Sequence, residues 1–157
     1  MLFQGVLVFG TSQIRRLSPN TIPPGTGGRD APAEDDFAGA GGLVRKVLVV
    51  DDEEDLADLA EALLRSRGLE VVVANSAMDA LRLLESEPDI DAVFSDIMMP
   101  GMNGLQLADA VSEFYPRIKI VLTSGFTVPA MMQDRARNYL FTAKPYRLET
   151  IMQLLRS

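Results

Sequence analysis

Short apolar runs rich in β-branched residues recur along the last two thirds of the chain, separated by segments with apolar residues at helical spacing. Runs of this length and composition are typical of buried strands. Their alternation with helical segments predicts an α/β fold, a doubly wound five-stranded parallel sheet of flavodoxin-like (βα)5 order. The predicted strands are 47–50, 69–74, 92–95, 118–122 and 139–143.

The helical segments carry their own start and stop signals. The first ends at Gly68, the second begins at Ser76 with Asp79 three residues later, and the third is capped by Asn103. A shorter helix is predicted at 130–137 and a last one at 148–155. The positions predicted to form the apolar faces are Leu56, Leu59, Ala60, Leu63 and Leu64; Ala77, Ala80, Leu81 and Leu84; Ala108, Val111 and Phe114; and Ile151 and Leu154.

Four of the predicted strands run directly into residues whose side chains can react or bind a metal. These are Asp51 and Asp52, Asp96, Thr123 and Lys144. Because the carboxyl ends of parallel strands share one edge of a sheet, we expect these side chains to meet in one pocket. Three carboxylates repel one another unless a cation lies among them, and oxygen ligands suit Mg²⁺. A pocket with Mg²⁺ and a lysine suits an incoming phosphoryl group, which makes Asp96 a candidate nucleophile.

These residues lie in four short motifs. They are VLVVDDEEDL at 47–56, SDIMMPGMNG at 95–104, LTS at 122–124 and AKPY at 143–146. In this order and at these separations, residues 46–157 resemble the receiver domain of two-component response regulators. The resemblance implies a signalling phosphoacceptor, not an enzyme acting on other substrates, which catalyses only its own phosphorylation and slow autodephosphorylation.

The resemblance also implies roles for the acidic residues. Asp96 corresponds to the phosphoacceptor, which takes a phosphoryl group from a partner histidine kinase or phosphotransfer protein. Asp52 corresponds to the direct Mg²⁺ ligand, Asp51 acts mainly through water, and the backbone carbonyl of Met98 completes the protein's share of the metal site together with Asp96.

The remaining motif residues correspond to a switch. Thr123 resembles the hydroxyl that turns toward the phosphoryl group, and Lys144 the lysine that pairs with it. The bond before Pro145 is usually cis in this family. Phe141 lies where receivers carry an aromatic residue that changes rotamer with Thr123. The switch would reshape the face formed by the fourth helix, fifth strand and fifth helix, where a downstream protein or a second copy would bind.

Composition divides the chain at residue 45. Residues 1–45 hold eight of the twelve glycines and four of the nine prolines, which predicts a disordered tail before a domain at 46–157. The apolar run Val6 to Phe9 is too short for a membrane span or a signal-peptide core, so we expect a cytoplasmic protein that does not contact the membrane. The net charge of −7 argues against direct nucleic-acid binding. The chain has no cysteine or histidine, so it cannot carry its own phosphohistidine, and any phosphoryl donor must be another protein or a small phosphodonor.

Other functions fit the residues less well. A nucleotide-binding domain needs a glycine-rich turn where this chain has Asp51 and Asp52. An aspartyl-phosphate hydrolase would normally carry an acid in the place of Met98. A receiver fold that signals without phosphorylation remains an alternative. Since no output domain follows Ser157, we expect either a stand-alone receiver or one cut from a hybrid kinase.

Overall fold

The computed structural model describes residues 42–125 and 128–157. Residues 1–41, which make up most of the predicted tail, lie outside the described residues, so the domain boundary stays a prediction. The strands are β1 (Lys46–Val50), β2 (Glu70–Ala74), β3 (Ala92–Asp96), β4 (Lys119–Ser124) and β5 (Leu140–Ala143). The helices are α1 (Glu54–Arg65), α2 (Ala77–Ser86), α3 (Gly104–Phe114), α4 (Ala130–Ala136) and α5 (Leu148–Arg156).

The strands form one parallel sheet in the order β2-β1-β3-β4-β5. The predicted fold class is therefore confirmed. The winding direction reverses between β1 and β3, and ligands of such sheets bind outside the carboxyl ends of the strands at this point.

Each face of the sheet is covered by its own apolar core. Because side chains alternate along a strand, Leu48 and Val50 join the core with α2 and α3, whereas Val47 and Val49 join the core with α1 and α5. Burial on both faces explains why the strands read as continuous apolar runs instead of alternating patterns.

The helix starts follow the sequence signals. The Ser76 hydroxyl accepts a hydrogen bond from the backbone N–H of Asp79 at 3.1 Å. Asn103 and Gln106 form a complete capping box, in which each side chain accepts from the other residue's backbone N–H. Both predicted caps are confirmed.

Two predicted apolar positions are wrong. Leu59 is 51% exposed, because the buried face of α1 centres on Ala57, Ala60 and Leu64 and position 59 lies about 200° around the helix from Ala57. Phe114 is 68% exposed although its spacing from Val111 suits the core. It is the last residue of α3, and the chain turns there so that Tyr115 and Ile118, not Phe114, pack against the core.

Candidate functional site

The carboxyl edge of the sheet brings together Asp51, Asp52, Asp96, Thr123 and Lys144, which we call the acidic site. Asp51 follows β1, Asp96 ends β3, and Thr123 lies beside Asp96 in the register of β3 with β4. Lys144 follows β5, and its backbone N–H donates to the carbonyl of Ser124 at 2.9 Å. The expected convergence of these residues is thus present in the fold.

Three carboxylates crowd this site. Asp51, Asp52 and Asp96 each offer an oxygen within 4.8 Å of the others. Asp51 and Asp96 are only 4% and 5% exposed, whereas Asp52 is exposed to solvent. Three negative charges so close together, two of them buried, are unfavourable without positive charge among them.

Lys144 supplies part of that charge. Its Nζ lies 2.9 Å from Oδ2 of Asp51 and 3.5 Å from Oδ2 of Asp96. Burial by itself lowers the pKa of Lys144, but the hydrogen bond to Asp51 and the charges of Asp96 and Asp51 outweigh it and leave this pKa raised. The lysine therefore stays protonated at neutral pH.

One lysine does not neutralise the negative charge of the three carboxylates. Burial raises the pKa of Asp96 above its ordinary value and the charge of Asp51 adds to this, while Lys144 and the backbone N–H of Met98 oppose it. A further cation would relieve this residual repulsion. The oxygen-only donors, one of them open to solvent, fit a hard divalent ion such as Mg²⁺.

Thr123 adds an unused hydroxyl. The residue is 2% exposed, and within the described part of the chain its Oγ1 has no hydrogen-bond partner. A buried hydroxyl without a partner is costly, so a ligand oxygen arriving beside Asp96 would find a ready donor. Phe141, opposite Leu122 on β5, is 39% exposed.

The loops that carry the site are held by backbone geometry. The Lys144–Pro145 peptide bond is cis, as the resemblance implied. The backbone N–H of Met98 donates to Oδ1 of Asp96 at 3.3 Å, and that of Glu53 donates to Oδ1 of Asp51 at 2.9 Å.

Sequence reasoning missed two supporting residues. Asn75 donates from its side-chain amide to the backbone carbonyl of Asp51 at 3.0 Å. Gly104 packs so closely under the Asp96 loop that a Cβ there would lie 2.1 Å from the carbonyl oxygen of Asp96. The position of Asn75 directly after β2, at the same sheet edge, could have predicted that it supports the site. The close approach of Gly104 to Asp96 could not have been predicted from anything in the sequence beyond the glycine itself.

In the described part of the chain, no helix is both long enough and apolar enough to cross a membrane.

Known proteins are similar to this chain in sequence. A protein of Rickettsia bellii (strain RML369-C), described as an NtrX-like response regulator, is 31% identical over 114 residues. The match covers 70% of this chain and 24% of that protein, so the chain spans about a quarter of the length of this relative.

Solved structures show the same fold. The chemotaxis protein CheY4 of Vibrio cholerae matches with a TM-score of 0.65 and 26% identity, over 73% of this chain and 98% of that one. A response regulator receiver protein from Pseudomonas putida also matches with a TM-score of 0.65 and 26% identity, over 73% and 97%. The signal receiver domain of an HD domain-containing protein from Pseudomonas fluorescens Pf-5 matches with a TM-score of 0.66 and 26% identity, over 72% of this chain and 92% of that one.

The sequence profile of the response regulator receiver domain matches residues 47–156, which is most of the chain and includes the whole acidic site. The chain therefore belongs to the response regulator receiver domain family, whose signalling role is that of a phosphoacceptor in two-component systems.

Proposed function

We propose that this protein accepts a phosphoryl group on Asp96 from the phosphohistidine of a histidine kinase or phosphotransfer protein and then changes a protein-binding surface. The observation that carries the proposal is the buried Asp96 carboxylate beside two further carboxylates and Lys144 at the sheet's switch point. Membership of the receiver family supports it.

In the proposed reaction, a carboxylate oxygen of Asp96 attacks phosphorus in line with the bond to the donor imidazole. The phosphorus–nitrogen bond breaks as the phosphorus–oxygen bond forms. The imidazole keeps the electron pair of the broken bond and takes up a proton. That proton comes from solvent, so no residue of this chain needs to act as general acid.

The acidic site would hold Mg²⁺ through Asp51, Asp52 and Asp96, with the carbonyl of Met98. When bound, the ion would neutralise charge on the phosphoryl oxygens. Lys144, held at the site by Asp51, would pair with a phosphoryl oxygen.

The proposed output lies on the face formed by α4, β5 and α5. The free hydroxyl of Thr123 would donate to the new phosphoryl group, and its movement would let the exposed ring of Phe141 turn inward. This face would bind a downstream protein or a second copy of the chain, in the cytoplasm and without nucleic acid. Slow hydrolysis of the aspartyl phosphate would reset it.

Phosphorylation by acetyl phosphate tests the proposal. Intact-mass spectrometry should show one added phosphoryl group on the wild type in the presence of Mg²⁺ and none after Mg²⁺ is removed with a chelator. Asp96→Asn should remain folded and unmodified. Asp58→Asn, which changes an exposed aspartate of α1, is the matched control and should be modified like the wild type. Modification of Asp96→Asn at a wild-type rate would refute the assignment.

A further inference from the structure

A carboxylate remote from the acidic site connects α3 to the proposed output face. Asp109 lies on α3, and its Oδ1 accepts a hydrogen bond from the Tyr139 hydroxyl at 2.7 Å. Its Oδ2 forms an ion pair with Nη2 of Arg135. Arg135 lies in the last turn of α4, and Tyr139 directly precedes β5. We call these three side chains the Asp109 clamp.

The clamp acts on a weakly held helix. α4 has only seven residues and begins after Pro129 without a side-chain cap. Among its described side chains none is fully buried, and its core contacts come from the partly buried Met132 and Ala136. A helix this short depends on tertiary contacts, so the ion pair of Arg135 with Asp109 adds to the few contacts that hold α4, while Tyr139 ties the start of β5 to the same carboxylate.

The other end of the clamp is fixed to the phosphoacceptor loop. α3 begins at Gly104, whose backbone N–H donates to the carbonyl of Ile97 at 2.8 Å and which packs directly under Asp96. Tyr139, in turn, leads into the strand that carries Phe141 and ends beside Lys144. The clamp therefore joins a helix anchored at Asp96 to the elements that the proposed switch would move.

We propose that Asp109 is a positioning residue that holds α4 and the start of β5 in the unphosphorylated arrangement, and that the strength of its clamp sets how readily the domain adopts the phosphorylated one. This regulatory role rests on the proposed phosphoacceptor function. Contacts made in only one of two states shift the equilibrium toward that state, so weakening the clamp raises the apparent affinity of any ligand that selects the other state.

Beryllofluoride, a stable mimic of the phosphoryl group, provides the first measurement. In the full chain with Mg²⁺, we expect Asp109→Asn to raise the apparent affinity for beryllofluoride roughly 3- to 10-fold, the range for loss of one exposed ion pair and weakening of the hydrogen bond from Tyr139, which the asparagine oxygen still accepts without the charge. Arg135→Gln, which removes only the ion pair, should give a rise no larger than that of Asp109→Asn, and the double variant should not exceed Asp109→Asn, because both single changes remove the ion pair.

The matched control is Asp134→Asn. Asp134 lies on α4 beside Arg135 and pairs only with the exposed Arg137, three residues along the same helix. This variant removes the same charge without touching α3, so its affinity for beryllofluoride should equal that of the wild type. A similar rise in this control would show that general charge, not the clamp, is responsible, and would overturn the proposal.

Hydrogen exchange without beryllofluoride provides a second measurement that does not depend on the phosphoacceptor function. Amides of residues 130–140 should exchange faster in Asp109→Asn than in the wild type, with little change in α1. Unchanged exchange together with unchanged affinity would overturn the clamp even if the wild type binds beryllofluoride. Faster exchange with reduced affinity would place the clamp in the phosphorylated arrangement and overturn it as well. Failure of the wild type to bind beryllofluoride would instead refute the proposed function.

Discussion

The buried, charged side chain of Asp96 destabilises the folded protein. Because burial and the charge of Asp51 raise its pKa, its ionised form is less stable in the folded protein than in the unfolded chain. Without divalent metal, we therefore expect Asp96→Asn to raise Tm, by roughly 2–8 °C for each kcal/mol gained. Differential scanning calorimetry measures this directly. The exposed Asp52, changed to Asn, should give a smaller rise.

The sign of the pH dependence follows from the raised pKa of Asp96. Between the ordinary aspartate value of about 3.9 and the higher folded value, the folded protein binds more protons than the unfolded chain. The contribution of Asp96 to the free energy of unfolding of the wild type therefore falls as pH rises through that window. The Tm advantage of Asp96→Asn should widen over the same window and stay constant above it. An advantage that shrinks with rising pH would contradict this account.

Substitutions of Thr123 test fold stability and the proposed switch at one position. Since its buried hydroxyl has no partner in the described part of the chain, Thr123→Val should cost less than about 1 kcal/mol or even stabilise the fold. The same change removes the hydroxyl that we propose donates to the phosphoryl group. With beryllofluoride, amide NMR shifts at 128–155 should shrink, while those beside Asp96 remain.

Thr123→Ser is the control, because it keeps the hydroxyl and should keep the distant shifts. If the Val variant retains them in full, Thr123 does not transmit the signal to α4, β5 and α5.

At the scale of elements, the start of α3 is fixed by contact between backbones. A Cβ at Gly104 would overlap the carbonyl of Asp96, so Gly104→Ala must displace the helix or the end of β3, at a cost of roughly 2–3 kcal/mol or more. Chemical denaturation measures the loss, and acetyl phosphate labelling should slow because Asp96 is displaced.

Gly101→Ala is the comparison for this change. Gly101 has a positive φ of 75° but open space around its Cβ, so only backbone strain of about 1–2 kcal/mol should appear. Equal losses of stability in the two variants would mean that α3 does not depend on close packing at Gly104.

At the scale of the whole molecule, we predict that residues 1–42 are dispensable for folding and phosphorylation. Among the described residues, both apolar cores are built from residues 44–155, and every residue of the acidic site lies within that range. We expect a chain that starts at Leu43 to unfold within about 2 °C of the full chain and to label equally at Asp96. A large drop in Tm would contradict the predicted domain boundary.

The sequence by itself determined the fold class, the strand and helix order and the identity of the acidic site. Periodicity revealed the elements because each is buried on a defined face, and the caps at Ser76 and Asn103 are local signals that depend on neighbours three residues away. Convergence of the site followed from one rule, that parallel strands end at a common edge.

Only the tertiary structure decided which side chains share contacts across the sheet. The ion pair of Lys144 with Asp51 joins residues 93 positions apart, and the bond of Tyr139 to Asp109 joins residues 30 apart. Exposure of Phe114 likewise depended on where α3 ends relative to its neighbours, not on its helical spacing. Such contacts depend on the packing of several elements at once. A local sequence pattern cannot predict them, because the two residues lie far apart along the chain.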